Sequence, residues 1–190
     1  MLHGVDVSSY NPSYDADGLD FVIVKATEGR SYTNPERAKQ AARARDAGCV
    51  VGFYHFLHGG RGLRLARISA QARYFVEHCG AEDGDFLALD WETDPRGRRA
   101  TSAQKDKFLR KVKKLRPGHR VILYCNRDLW TRKDTGDYNA DGLWIADYRK
   151  AGHPLIDDEW LFHQYTSKPL DKNVAKFKSR AALKEWASGA

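Results

Sequence analysis

The chain has 190 residues, 42% of them hydrophobic and 30% charged, and a formal net charge of +7. That suits one globular domain with a sizeable core, and excludes a disordered, collagen-like or low-complexity chain. No apolar stretch reaches the roughly 18 residues that span a membrane, and three unclustered cysteines, Cys49, Cys79 and Cys125, exclude a disulfide framework and a CxxC metal site.

In chain order, the first strand expected is "LHGVDVS" (2–8), followed by "FVIVKAT" (21–27). A helix is predicted over 34–48, with Asn34-Pro35 as its cap and first-turn proline and Gly48 at its end. "CVVGFYHF" (49–56) is the third strand, and "GLRLARISAQARYFVEHCG" (62–80) is a second helix ending on a glycine. "DFLALDWE" (85–92) is a strand, and 101–118 a third helix that Thr101 or Ser102 can cap, with cations in its last turn. "RVILYCN" (120–126), "GLWIADY" (142–148) and "EWLFHQYT" (159–166) complete the strands, and "RAALKEWAS" (180–188) closes the chain as a helix. The opening "MLHGVDVSSYN" has no basic segment followed by an apolar one, so a soluble chain made in the cytoplasm is expected. No linker or repeat divides the sequence, and one domain over 1–190 is expected.

Strands alternating with helices imply a mostly parallel sheet with helices outside. Most of the strands leave an apolar run on a polar residue: Asp6, Lys25, His55, Asp90 with Glu92, Asn126, Asp147 and Gln164. Catalytic residues of α/β barrels stand at those C-terminal strand ends. The chain is short for eight full strand–helix units and its last strands follow each other directly, so an incomplete or irregular TIM-like (β/α) barrel is predicted.

"FLALDWE" is the most telling run, because Asp and Glu are poor strand residues and rarely lie buried unless paired or functional. On a strand, Asp90 and Glu92 share a face about 6.5–7 Å apart along the chain. Repulsion and partial burial raise both pKa values, which can keep one carboxyl protonated as a general acid. A D-x-E triplet alone is commonly a solvated surface feature; the preceding "FLAL" argues otherwise. Without H-x-H, H-E-x-x-H or an Asp-rich loop, no metal site is expected, and His55 in "YHF" reads as a hydrogen-bonded wall residue. Asp6 is a second acid out of place in a strand, Asp171 in "PLDKNVAKF" follows the last strong strand and alone reads as a surface acid, and Tyr54, Trp91, Tyr124, Trp144 and Tyr148 cluster with the polar ends.

These residues resemble a known family. "GVDVSSYN", "FVIVKATEGRSYTNP", "GFYHF", "ALDWE", "LYCNRDLW", "LWIADY" and "HQYTSKPLDKN" occur in the order found in the glycoside hydrolase family 25 muramidases, over about residues 2–177. The resemblance implies an eight-stranded barrel with fewer than eight helices, cutting the β-1,4 bond between N-acetylmuramic acid and N-acetylglucosamine in bacterial peptidoglycan without a cofactor. It implies Glu92 as general acid, Asp90 as its acidic partner, Asp6 and Asp171 in the acidic floor, and Lys25, Tyr54, Tyr124 and Tyr148 lining the sugar site. A retaining reaction assisted by the substrate acetamido group follows, with Asp90 or Asp171 orienting that group. The sequence departs from the family at His163, and between Gln164 and Asp171, where the usual glycine-rich turn is missing.

A single catalytic domain without a wall-binding module, acting as a monomer on the wall after release from the cytoplasm, is the expectation. The alternatives are a non-catalytic glycan-binding barrel, which would lack the acids, and a basic nucleic-acid-binding protein, which would need a binding motif absent here. The positive charge could hold the protein weakly on phosphate-rich wall polymers, and the basic helix from Lys105 to Arg116 is its expected source.

Overall fold

The structure is a computed structural model that describes residues 1–132, 136 and 138–189. Among them are strands β1 (Leu2–Val7), β2 (Phe21–Glu28), β3 (Tyr32–Thr33), β4 (Val50–Phe56), β5 (Phe86–Asp90), β6 (Val121–Asn126), β7 (Leu143–Ala146), β8 (Phe162–Thr166) and β9 (Lys172–Ala175). The helices are α1 (Arg37–Asp46), α2 (Leu65–His78), α3 (Ser102–Leu115), α4 (Arg127–Thr131) and α5 (Arg180–Ala187). Parallel pairing runs β1–β2–β4–β5–β6–β7–β8, and β9 closes the ring by lying antiparallel between β8 and β1. The result is the eight-stranded barrel expected, with β3 hung outside it as a hairpin on β2.

Strand alternation divides the core in two. Val5, Val22, Val51, Leu87 and Leu123 face outward and pack under the helices, while Leu2, Phe21, Phe86, Ile122 and Phe162 fill the barrel. Phe21 and Phe86 have room because their neighbours are glycines. A Cβ on Gly4 would lie 2.4 Å from the Phe21 carbonyl oxygen, and one on Gly52 2.4 Å from the Phe86 ring. Helix α5 seals the mouth at the N-terminal strand ends: Leu183 and Ala187 join the inner core, and Trp186 stands 5.9 Å from Phe86 and 6.0 Å from Phe162. The opposite mouth stays open, because the strands bring polar groups to it.

Two helix ends correct the sequence reading. Helix α1 starts at Arg37 with Glu36 at its N-cap; Asn34 accepts from the Glu36 N–H instead of capping the helix. Gly48 and Gly80 take the left-handed conformation expected after a helix, at φ 74° and 75°. Gly118 does not, since α3 has already ended before Pro117. Thr101 caps α3 as expected, in a capping box with Gln104. All three cysteines are free and buried.

Candidate active site

The site is assembled by the same alternation. Asp6 on β1, Lys25 on β2, Tyr54 on β4, Asp90 on β5, Tyr124 on β6, Trp144 on β7 and Gln164 on β8 all fall on the inward face, near the C-terminal strand ends. Glu92 lies just past β5, and its register is held by the residue between the acids. Trp91 is 1% exposed, buried in the outer core, and its indole Nε1 donates to the Ala100 carbonyl at 2.7 Å. With Trp91 pinned outward, Asp90 and Glu92 must both turn inward. Asp171 precedes β9, whose antiparallel course starts at the open mouth, and the Asp6 amide donates to the Asp171 carbonyl at 3.1 Å. The four acids, with Tyr54, Tyr124, Trp144, Tyr148 and Gln164, line one cavity of about 230 Å³.

Crowding four carboxyls under little water makes simultaneous ionisation unfavourable. Burial, then the charge of Asp171, pushes Asp6 up to about 8, although hydrogen bonds from Asn173 and Gln164 work the other way. Burial and Glu92 raise Asp90 well above the ordinary carboxylate range, and its buried Oδ1 has no partner among the described residues. Glu92 is raised by burial and by Asp171, with the Lys25 ammonium opposing, and burial raises Asp171. Burial and mutual repulsion thus favour the protonated forms of these acids over those of ordinary carboxyls.

Lys25 lies beside this cavity rather than in its wall. Its ammonium bonds Glu28 at 2.6 Å, and the other oxygen of Glu28 takes His58 Nε2 at 2.9 Å. The charge still acts on Asp90 and Glu92, favouring their ionised forms. His55, also a strand end, faces outward: its Nδ1 meets the Thr27 hydroxyl at 2.8 Å and its ring stacks on Phe108, so it is a wall residue as expected. His163 likewise serves the backbone, with Nε2 at 2.7 Å from the Asp147 carbonyl.

Residues beyond the acids hold the floor in place. The side-chain amides of Gln164 and Asn173 both donate to Oδ2 of Asp6, each at 2.8 Å. The oxygen of Gln164 accepts from the hydroxyls of Tyr124 at 3.1 Å and Tyr148 at 3.2 Å. That of Asn173 accepts from Trp144 Nε1 at 2.8 Å. Donors on one side thus fix which end of each amide faces Asp6. Gln164 was visible in the sequence as a polar strand end and Trp144 as an aromatic beside one; Asn173 gave no signal, since its strand is too short to be read.

A second cavity of about 300 Å³ adjoins the first. It shares Glu92, Tyr124 and Tyr148 and continues past Asn126, Arg127 and Asp128. Of the four acids, Glu92 alone borders both spaces. A proton donor between two adjoining cavities, with Asp6, Asp90 and Asp171 crowded on one side and only the arginine-paired Asp128 and Asp147 on the other, is an arrangement able to protonate the atom joining two units of a polymer and stabilise positive charge on one of them.

Comparison with known proteins agrees. The family model for glycosyl hydrolases family 25 matches residues 5–174. An N,O-diacetylmuramidase from Chalaropsis sp is 42% identical over 96 residues, 46% of this chain and 44% of that protein. The lysozyme of Streptococcus phage Cp-9 is 29% identical over 90% of this chain and 52% of its own length. The chain thus spans about half the length of these curated relatives. Among solved structures, a muramidase from Acremonium alcalophilum superposes with a TM-score of 0.83 and 28% identity, over 100% of both chains.

Proposed function

The chain belongs to glycosyl hydrolase family 25, and from that membership together with the four convergent carboxyls we propose that it is a muramidase, hydrolysing the β-1,4 bond between N-acetylmuramic acid and N-acetylglucosamine in bacterial peptidoglycan. The observation that carries the reading is the position of Glu92 between the acid-lined cavity and its neighbour. The muramic acid ring occupies the cavity holding Asp6, Asp90 and Asp171, and the glucosamine ring leaves through the other.

Glu92 is the general acid. Its raised pKa keeps the proton until the glycosidic oxygen is in reach, and transfer to that oxygen breaks the bond to the anomeric carbon. Positive charge develops on the sugar as the bond lengthens. The acetamido carbonyl oxygen attacks the anomeric carbon, forming a cyclic intermediate, and Asp90 orients the acetamide by accepting its N–H on Oδ1, which no protein group among the described residues occupies. Asp171, less enclosed than Asp6 and Asp90, carries the negative charge that stabilises the developing cation. Water, deprotonated by the Glu92 carboxylate, then opens the intermediate from the face the leaving group left, and the anomeric configuration is retained. Asp6, held protonated by burial, is a neutral member of the floor at pH 7.

Glu92→Gln tests the assignment. Removing a positioned acid costs about 10²–10⁴ in rate, so kcat on peptidoglycan should fall by that order while the circular dichroism spectrum is unchanged. A folded variant that turns over at the parent rate would remove Glu92 from the role.

A further inference from the structure

The connections that follow β2, β4 and β5 (29–36, 57–64 and 91–101) leave the barrel side by side at the mouth that holds Asp90 and Glu92. They are knit together: Gly29 N–H donates to the Phe56 carbonyl, Glu28 meets His58, and Gln104 at the start of α3 bonds both the amide and the carbonyl of Gly60. These three segments carry six arginines and no lysine, against Glu36, Asp94 and the catalytic Glu92. Arg30, Arg61, Arg64 and Arg96 are exposed and form no ion pair among the described residues. Arg98 pairs with Asp94 at 2.8 Å, and Arg99 lies over the Trp91 ring at 5.4 Å.

The helix α3, expected from sequence to be the basic surface, gives up several of its charges to the fold. Lys105 is fully buried against the Tyr138 carbonyl, Lys113 pairs with Asp141, Arg110 stacks on Tyr138 at 3.9 Å, and Arg116 donates to the Val76 carbonyl. Lys107 and Lys114 stay exposed, so α3 keeps part of the charge expected of it. On the rim all four exposed arginines are without an ion pair among the described residues, and like charges on adjoining loops repel one another in the free protein. Arginine also differs from lysine in offering a planar fork that grips phosphate oxygens in pairs.

We propose that the arginine rim formed by Arg30, Arg61, Arg64 and Arg96 docks a phosphodiester polymer carried on the bacterial wall, beside the glycan that enters the cleft. The inference rests on the muramidase reading only for its choice of polymer: a wall enzyme meets phosphodiester chains attached to its own substrate. Holding such a chain on the β2–β4–β5 side keeps the cleft against the wall between cuts, and raises the local concentration of glycan without touching the chemistry at Glu92.

The experiment uses wall binding in a Glu92→Gln background, so that the walls survive, with the rim intact or changed by R30Q, R61Q, R64Q and R96Q together. Walls are presented intact and after hydrofluoric acid has removed phosphodiester-linked polymers. If each arginine neutralises one phosphate of a flexible chain, the affinity of the intact rim should fall about 50-fold between 50 and 200 mM salt, from a slope of about 0.7 per contact. The fourfold variant should bind intact walls more weakly and with a clearly shallower salt dependence, both proteins should bind stripped walls alike, and the variant with Glu92 restored should hydrolyse a soluble glycan at the parent rate. The proposal is overturned if the variant keeps the parent's affinity for intact walls, if the parent binds stripped and intact walls equally, or if duplex DNA at matched phosphate concentration binds the rim more tightly than the wall polymer does. Phosphate-dependent wall binding by a parent that fails to cut soluble glycan would uphold the rim and sink only the muramidase reading.

Discussion

Asp6→Asn should make the protein more stable and less active, and the gain should depend on pH in a way the site dictates. Burial and Asp171 hold the Asp6 pKa at about 8 in the folded chain, against 3.8 for the ordinary group. Between those values the folded chain keeps a proton that the unfolded chain has released, so stability is highest below pH 3.8, falls as pH rises towards 8, and is then level. The slope is about 1.4 kcal/mol per pH unit for one proton, and the accumulated cost at pH 7 is about 4 kcal/mol. Asparagine carries no such proton, and its side-chain oxygen can still accept from Gln164 and Asn173. The stability difference between Asp6→Asn and the parent should therefore grow by about 3 kcal/mol between pH 5 and pH 7, about 5–10 °C in Tm for a chain of this length. Comparing two pH values removes any constant effect of the substitution. Denaturant unfolding or calorimetry at both pH values reads it directly. A difference that stays constant with pH, or shrinks, would show that Asp6 ionises freely in the fold and would refute the account of the acidic floor.

Two further outcomes follow from the groups around the acids. Gln164→Leu leaves the buried Tyr124 hydroxyl without its acceptor and Asp6 with one amide fewer, so about 1–3 kcal/mol of stability should be lost per stranded group, and kcat should fall more than KM rises; equal loss in both, or a normal kcat, would reduce Gln164 to a packing residue. Lys25→Met removes the cation that favours ionised Asp90 and Glu92, so Glu92 should keep its proton to higher pH and the alkaline limb of the pH–rate profile should move up; a downward shift or none would mean that Glu28 already neutralises Lys25 completely.

The parts legible in the sequence were those with local causes. Strands whose inward and outward faces are both apolar read as continuous runs, and Asp6 and Asp90 stood out because acids are foreign to such runs. The barrel class followed from strand–helix alternation, and its irregularity from the closely spaced last strands. The unread parts have non-local causes. β9 is four residues, "KNVA", with no apolar run of its own, and it exists because β8 and β1 need a partner to close the ring. Asp171 consequently looked like a surface acid until that strand carried it to the mouth. α4 begins at Asn126, which sequence alone reads only as the polar end of β6, and the Asn126 side chain caps it by accepting from Leu129 N–H. The charge on α3 was only partly legible because a lysine in an amphipathic helix usually points to water, as Lys107 and Lys114 do, whereas Lys105 falls on the buried stripe with Phe108, Leu109 and Val112.

The central claim is the bond that is cut. Purified peptidoglycan digested with this protein, with released fragments reduced by borohydride and identified by mass spectrometry, tests it most directly. The account predicts muropeptides whose new reducing ends are N-acetylmuramic acid, released about 10²–10⁴ times more slowly by the Glu92→Gln protein. Fragments ending in reducing N-acetylglucosamine, in anhydro-muramic acid or as free peptides would contradict it.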